Sequence, residues 1–265
     1  GHFRFTVNGE TVVRLEQRFG YAHKGTALLL AGASLDTAAR LAGRISGDST
    51  VAYAYAFALA VEAAMDTKAP RRAVWLRTLM AELERLANHL GDIGAVCNDA
   101  AFSIMHAHCG VLREQVLRAS NLAFGHRLMM DQIVPGGVAS DIREGGPEAI
   151  AGAVASIRGA FPRLVDVYDE TNSLQDRVVG TGIVRPEWVK QFAAGGFIGR
   201  AAGRGFDARK WNAYGLYGDL TFEAPVFEQG DVNARVWVRI REVEQSLGLI
   251  DQLLAHAPSG PSRLE

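Results

Sequence analysis

Cysteine is nearly absent from this chain, with only Cys97 and Cys109 in 265 residues. Two thiols do not make a disulfide framework, and their scarcity fits an intracellular chain better than a stapled secreted one. No apolar run reaches the ~18 residues of a membrane span. The stretch from Val51 to Met65 comes closest and is closed by Asp66 and Lys68. Formal net charge is −1 and the arginines are scattered, so nothing suggests a basic surface that tracks a phosphate backbone. That argues against nucleic acid as a partner. The start, GHFRFTVNGE, lacks the basic-then-apolar profile of a signal peptide. It also lacks an initiator methionine, so the chain reads as a fragment of a longer protein, with Leu264-Glu265 as a cloning remnant.

What is present is mostly helical pattern. Phe3, Phe5 and Val7 alternate with polar residues, Asn8-Gly9 supplies a hairpin turn, and Val12, Val13 and Leu15 return as a second strand. This places a hairpin at 1–16. A short helix is expected over Leu28–Gly32, and Ser34 can cap the next, to about Gly43. Asp48 or Ser49 can cap a helix running to about Asp66. From Arg71 to about Ile93, Val74, Leu76, Leu79, Met80, Leu83, Leu86, Leu90 and Ile93 recur at threes and fours, the signature of an amphipathic helix. Phe102–Phe124 continues in the same way until Val134-Pro135-Gly136-Gly137 breaks the chain. Helices are expected again from Glu148 to about Asn172, kinked near Pro162, and from Asp231 to Leu254. Between them, 179–230 is rich in glycine and reads as loops and short elements. The glycines of Gly195–Gly205 contain no GxGxxG that follows a strand and opens a helix, so a dinucleotide fold is rejected. The expectation is one mainly α domain over 1–265 with a small N-terminal β-hairpin.

The stretch from Arg44 to Asp99 concentrates polar residues at the ends of two apolar helices: Arg44–Asp48 before them, and Asn88, His89, Asn98 and Asp99 after. Asp99 and His89 are a candidate carboxylate–imidazole proton relay; the alternative is a buried hydrogen-bonded pair or a helix C-terminal contact. Ser46, Asp48 and Ser49 either line a cavity or cap the helix that follows. Arg71, Arg72 and Arg77 face an acidic partner or internal carboxylates, or they form a solvated or internally paired face. His106 and Cys109 are three apart, but core packing is a better account of them than a metal.

The motifs GYAHKG, RISGDSTVAYAYAFALAVE, APRRAVWLRTLMAELERLANHLGDIGAVCND, VPGGV and GDVNARVWVRIREVEQSLGLIDQLL occur in this order. The ordered set resembles the family of the 49 kDa subunit of respiratory NADH:quinone oxidoreductase, which includes the large subunits of membrane-bound nickel–iron hydrogenases such as those of formate hydrogenlyase. The resemblance covers nearly the whole chain and implies a mostly α-helical hydrogenase-large-subunit-like fold. Catalytic hydrogenases of the family hold nickel and iron with two CxxC motifs, soft thiolates being what such metals require. Here the first motif reads Ser46-Gly47-Asp48-Ser49, the histidine that follows it falls at Tyr53, and a glutamate after the GYAHKG loop falls at Ala27. No metal and no resident cofactor are therefore expected.

The quinone-reducing branch uses the vacated cavity as a head-group pocket. By resemblance its aspartate matches Asp99, its tyrosine falls at Gly47, and its hairpin histidine falls near or before Gly1, with His2 as a candidate. The cavity is then expected around Ser46, Gly47, Asp48, Ser49 and His23, with Asp99 and His89 as the proton-handling pair. His23 and Lys24 match a His-Arg pair that faces the terminal iron–sulfur cluster of a partner subunit, where a cation favours the reduced cluster. The resemblance thus implies an electron-transfer subunit of a membrane-associated complex, cytoplasmic and peripheral at the inner face, with quinone as substrate. NADH would be bound by another subunit. A non-catalytic structural subunit that keeps the fold but has lost both chemistries is the second reading.

Overall fold

A computed structural model describes residues 1–264. It is mainly helical and opens on an antiparallel hairpin, β1 (His2–Asn8) and β2 (Thr11–Arg18). The hairpin extends past residue 16, and its turn is Gly9-Glu10 rather than Asn8-Gly9, because Asn8 still pairs with Thr11. Gly9, at φ 60°, supplies the left-handed conformation that the first turn position demands. A bulge at Thr6/Val7 shifts the register, so that Val7 faces Val12 while Thr6 faces Arg14. Phe3, Phe5, Val7, Val12, Val13 and Leu15 all remain exposed. Two strands alone are marginal in water, and among the described residues no third layer covers them.

Two small helices follow, α1 (Thr26–Leu30), two residues earlier than the pattern suggests, and α2 (Leu35–Ala42). Ser34 caps α2 as expected, its Oγ accepting from the Thr37 amide at 3.3 Å. The long pair is α3 (Thr50–Ala64) and α4 (Arg71–Asp99); α4 runs six residues beyond the predicted end at Ile93. Next come α5 (Ser103–Phe124) and a two-residue hairpin, β3 (Ile133–Val134) and β4 (Gly137–Val138). The break at Val134-Pro135-Gly136-Gly137 is therefore a tight turn, which periodicity does not signal. α6 (Gly146–Glu170) continues through Pro162, and α7 (Asn172–Val178) is a separate element. The glycine-rich region holds α8 (Pro186–Gln191), α9 (Gly196–Ala201) and α10 (Ala208–Trp211). α11 (Val232–Ala255) closes the core, with Asp231 Oδ1 accepting from the Ala234 amide at 2.7 Å.

α4 is the central rod, packed on α5 along one side and α11 along another, while α6 packs on both α5 and α11. Gly94 lets α5 approach: a Cβ there would lie 3.1 Å from Cys109 Cβ and His106 Cα. The apolar stripe Leu76, Leu79, Met80, Leu83, Leu86, Leu90 and Ile93 is fully buried, as the sequence pattern requires. The polar face of α4 is the surprise. Arg77, Glu82, Glu84 and His89 are also buried, so this face meets buried charge and backbone polar groups rather than water.

Candidate functional site

Site geometry begins at the N-terminus of α3. Ser49 occupies its cap position without a side-chain capping bond, and Asp48 instead accepts from the Ser46 hydroxyl. The cap comes from α4: Glu84 Oε2 and Oε1 accept from the Val51 and Ala52 amides at 2.6 and 2.9 Å. Two of the orphan donors at the start of α3 are thus satisfied by a carboxylate 33 and 32 residues away. The preceding loop is fixed from several sides. Asn88 Nδ2 donates to the Asp48 carbonyl at 2.7 Å, and Arg44 grips Asp131 through two bonds of 2.6 and 2.7 Å. Lys24 Nζ donates to the Arg44 and Ile45 carbonyls, each at 3.1 Å.

Beside this junction lies a cavity of about 430 Å³. α3 contributes Ala52, Tyr55, Ala56 and Leu59, with Ser49 at its start. α4 contributes Ala81, Glu84, Arg85, Asn88 and His89, and the loop after α10 contributes Tyr214 and Tyr217. That loop can lie so close only because residue 215 is glycine. A Cβ at this position, where φ is +60°, would sit 2.6 Å from both Thr78 Oγ1 and Tyr55 Oη. The volume and the mix of an apolar floor with a few convergent polar groups are those of a small-molecule site. A larger groove of about 640 Å³ between α2, α3 and the β3–β4 hairpin contains none of the site residues expected from sequence, although Val134, Pro135 and Gly136 of the VPGGV motif line it.

Behind the cavity wall the charges are balanced in a buried network. Glu242 meets His89 Nε2 at 2.6 Å, Arg85 Nη1 at 3.3 Å, and Arg200 Nη2. Glu82 accepts from Arg209 at 3.1 Å, Tyr217 at 2.6 Å and Ser246 at 2.7 Å, and Arg209 also holds Asp207 at 2.9 Å. Burial works to raise both glutamates, but their cationic and hydrogen-bonding neighbours outweigh it and hold them below the usual carboxylate range. Burial lowers His89, and Arg85 and Arg239 push the same way against Glu242, which leaves a neutral imidazole at pH 7. Glu84 is different. Burial pushes it up to about 7, against the two amides that it accepts from, with Asp48 adding to the rise and Arg85 opposing it.

The residues expected from sequence do not form one group. Ser49 and His89 line the cavity, whereas Asp48 lies just behind Glu84 in a smaller void. Ser46 is half-buried and Gly47 exposed in the same loop, while His23 is exposed on the loop that Lys24 pins to it. Asp99 and His89 are not a pair. They lie ten residues apart on one helix, roughly 15 Å along its axis. Asp99 is exposed at the helix end, and His89 is taken by Glu242. The expected Asp48 or Ser49 cap is likewise replaced by Glu84. Of the three arginines, Arg77 is paired internally with buried Glu62 and Arg72 with Asp141, and Arg71 meets Asp219 only at the surface. Sequence reading missed Glu84, Arg85, Tyr55, Tyr214 and Tyr217. A signal existed for the network, since Glu82, Arg85 and His89 recur at threes and fours inside an otherwise apolar helix.

The first CxxC position does not suit a nickel–iron centre. Ser46 and Ser49 offer hydroxyls where soft thiolates are needed, and Ser46 already donates to Asp48. Cys97 and Cys109 are buried in the core, and burial pushes both thiols up to about 12. Among the described residues no group of three or more His, Cys, Asp or Glu is placed to hold a metal ion.

Residues 99–265 match the family of the respiratory-chain NADH dehydrogenase 49 kDa subunit. The chain belongs to that family. Over 98% of its length it is 33% identical to the D subunit of NADH-quinone oxidoreductase from Wolbachia sp. subsp. Brugia malayi, and 32% identical to that of Granulibacter bethesdensis. It covers 66% and 65% of these relatives' own lengths, just under two thirds. The C/D subunit of NADH-quinone oxidoreductase from Phocaeicola vulgatus is 28% identical over 97% of the chain, which covers half of that protein. Among the described residues no helix is long and apolar enough to cross a membrane.

Proposed function

We propose that this family member is an electron-transfer subunit of a membrane-associated NADH:quinone oxidoreductase, and that the cavity between α3, α4 and the Tyr214–Tyr217 loop receives the quinone head group. One observation carries the reading: a space of about 430 Å³ is lined by the apolar Ala52, Ala56, Leu59 and Ala81 together with the polar Glu84, Arg85, Asn88 and His89. A flat apolar ring that carries polar carbonyl oxygens suits that mixed lining. Electrons would come from an iron–sulfur cluster of a partner subunit facing the His23-Lys24 loop. The chain would sit peripherally at the inner face of the membrane, with NADH bound elsewhere in the complex. Asp99 is exposed at the end of α4 and does not line this cavity.

The test uses the full-length protein in its native membrane complex. Ala81→Phe fills the floor of the cavity, and the expected result is a KM for short-chain quinone raised about tenfold or more with assembly intact. An unchanged KM and kcat would sink the cavity assignment. The structural-subunit reading draws on one observation, that Ser46, Gly47 and Ser49 carry neither thiol nor phenol. It predicts an assembled complex whose turnover is indifferent to Ala81→Phe and to Asp99→Asn alike.

A further inference from the structure

Glu84 is the sole carboxyl lining the cavity among the described residues, and no arginine or lysine among them forms an ion pair with it. The other two buried glutamates of the region, Glu82 and Glu242, lie behind the wall and are each gripped by arginines. We propose that Glu84 is the residue that hands protons to the acceptor in the cavity, and that its change of charge adjusts the cap on α3 as it does so. The proposal rests on the quinone reading above.

The geometry gives Glu84 two sides. One faces the cavity. The other faces a void of about 10 Å³ bounded by Asp48, Asn88, Ser120 and Arg127, close to the room that one water needs. Ser120 Oγ is fully buried there with no hydrogen-bond partner among the described residues, and Asp48 opens to solvent. Leu83, Ala87, Leu117, Leu128 and Met129 form the apolar part of that void, so its polar groups, Asp48, Asn88, Ser120 and Arg127, mark one path to the surface. A carboxyl between a reaction space and such a path can be discharged on one side and recharged from the other. The groups facing it leave no competitor. From α4, Arg85 is committed to Glu242, and His89 is neutral through burial. From the segment after α5, Arg127 is paired with Glu114 at 2.6 Å. From α3, burial pushes the Tyr55 phenol up to about 12, and Tyr214 and Tyr217 are raised by burial too. From the loop, Asp48 favours the protonated form of Glu84.

The quinone takes two electrons, one at a time, from the iron–sulfur donor of the partner subunit, which is oxidised by one electron at each step and re-reduced between them. One ring oxygen takes the proton of the Glu84 O–H bond, leaving a carboxylate. Solvent restores that proton through the Asp48 side, and the recharged carboxyl protonates the second oxygen to give the quinol. In its ionised state Glu84 accepts from both the Val51 and Ala52 amides through charge-assisted bonds. In its protonated state it holds them less strongly, so the start of α3 is tightest directly after proton transfer.

The experiment compares Glu84→Gln and Glu84→Asp in the full-length protein, assembled in its native membranes. Two readouts are taken: quinone reduction from pH 5.5 to 8.5, and protection of an introduced Ala81→Cys thiol by a non-reducible quinone-site inhibitor. The expected result is a fall of about 100-fold or more for Glu84→Gln. The pH limb near 7 would be lost, inhibitor protection kept, and part of the rate restored by Glu84→Asp with the limb displaced. A Glu84→Gln rate and pH profile like those of the parent, with protection intact, overturns the proton role and leaves the quinone reading standing. A lowered rate that keeps the pH limb also overturns it, because Glu84 would then act only as a cap. Failure of the inhibitor to protect the thiol in any variant removes the quinone reading itself.

Discussion

Replacing Glu62 by Gln should be among the most damaging single changes in this chain. Arg77 is 1% exposed, and Glu62 meets it through two bonds of 2.6 and 3.1 Å. Arg77 also donates to the Val134 and Gly137 carbonyls at 2.7 and 3.0 Å, and Glu62 accepts from the Gly136 amide at 2.8 Å. The pair therefore fastens α3 and α4 to the β3–β4 turn. Glutamine keeps the shape but turns an NH2 toward the guanidinium and leaves a buried cation without its counter-charge. Breaking a buried pair from one side costs about 3–5 kcal/mol. That is a large share of the roughly 5–15 kcal/mol by which a domain is stable. The half-exposed pair Arg158–Asp251 provides the control, since a pair in that setting contributes about 0–1 kcal/mol. Urea unfolding of Glu62→Gln and Asp251→Asn at pH 7 measures both, with the slope m required to stay constant. Adding Arg77→Met to Glu62→Gln should recover part of the loss, because no charge is then stranded. A loss for Glu62→Gln no larger than that for Asp251→Asn would refute the reasoning.

The raised Glu84 carboxyl gives a pH dependence whose sign is fixed. A carboxyl near 7 in the folded chain and 4.5 unfolded binds its proton more tightly when folded, so its contribution is full below 4.5 and is lost as pH rises through about 7. The loss amounts to about 3 kcal/mol over that window; unfolding free energies at pH 5 and pH 8 should show it against a Glu84→Gln background, and an unchanged slope in the variant would exclude Glu84 as the source. Gly215→Ala should destabilise by about 1–3 kcal/mol and disturb the cavity, since its φ is +60° and its Cβ would clash with Thr78 and Tyr55; a thermal midpoint equal to the parent's would contradict the close approach. Cys97 and Cys109, buried and pushed up to about 12, should resist alkylation in the native chain and react only on unfolding. Labelling by iodoacetamide with and without urea reads this directly, and fast native labelling would count against their burial.

Short-range bonds and periods govern the part of this fold that is legible in the chain alone. Ser34 and Asp231 cap the helices that start beside them, because a hydroxyl or carboxylate at the cap position reaches an amide three residues on. The threes and fours of Leu76 to Ile93 commit one face of α4 to the core, and the ordered motifs carry the family. The rest depends on which distant segments meet. Glu84 rather than Asp48 or Ser49 caps α3, because a carboxyl arriving from the next helix meets the Val51 and Ala52 amides, and no local spacing encodes that meeting. The β3–β4 turn exists because Arg77 and Glu62, from two different helices, satisfy its backbone groups. His89 looked available beside Asp99 in the sequence. Helical rise carries the two apart, and Glu242, which α11 brings back from 153 positions further along, takes the imidazole instead. Polar residues on α4 read as a solvent face because periodicity records which residues are apolar. Whether the opposite face meets water or another charged helix depends on what the chain folds against it.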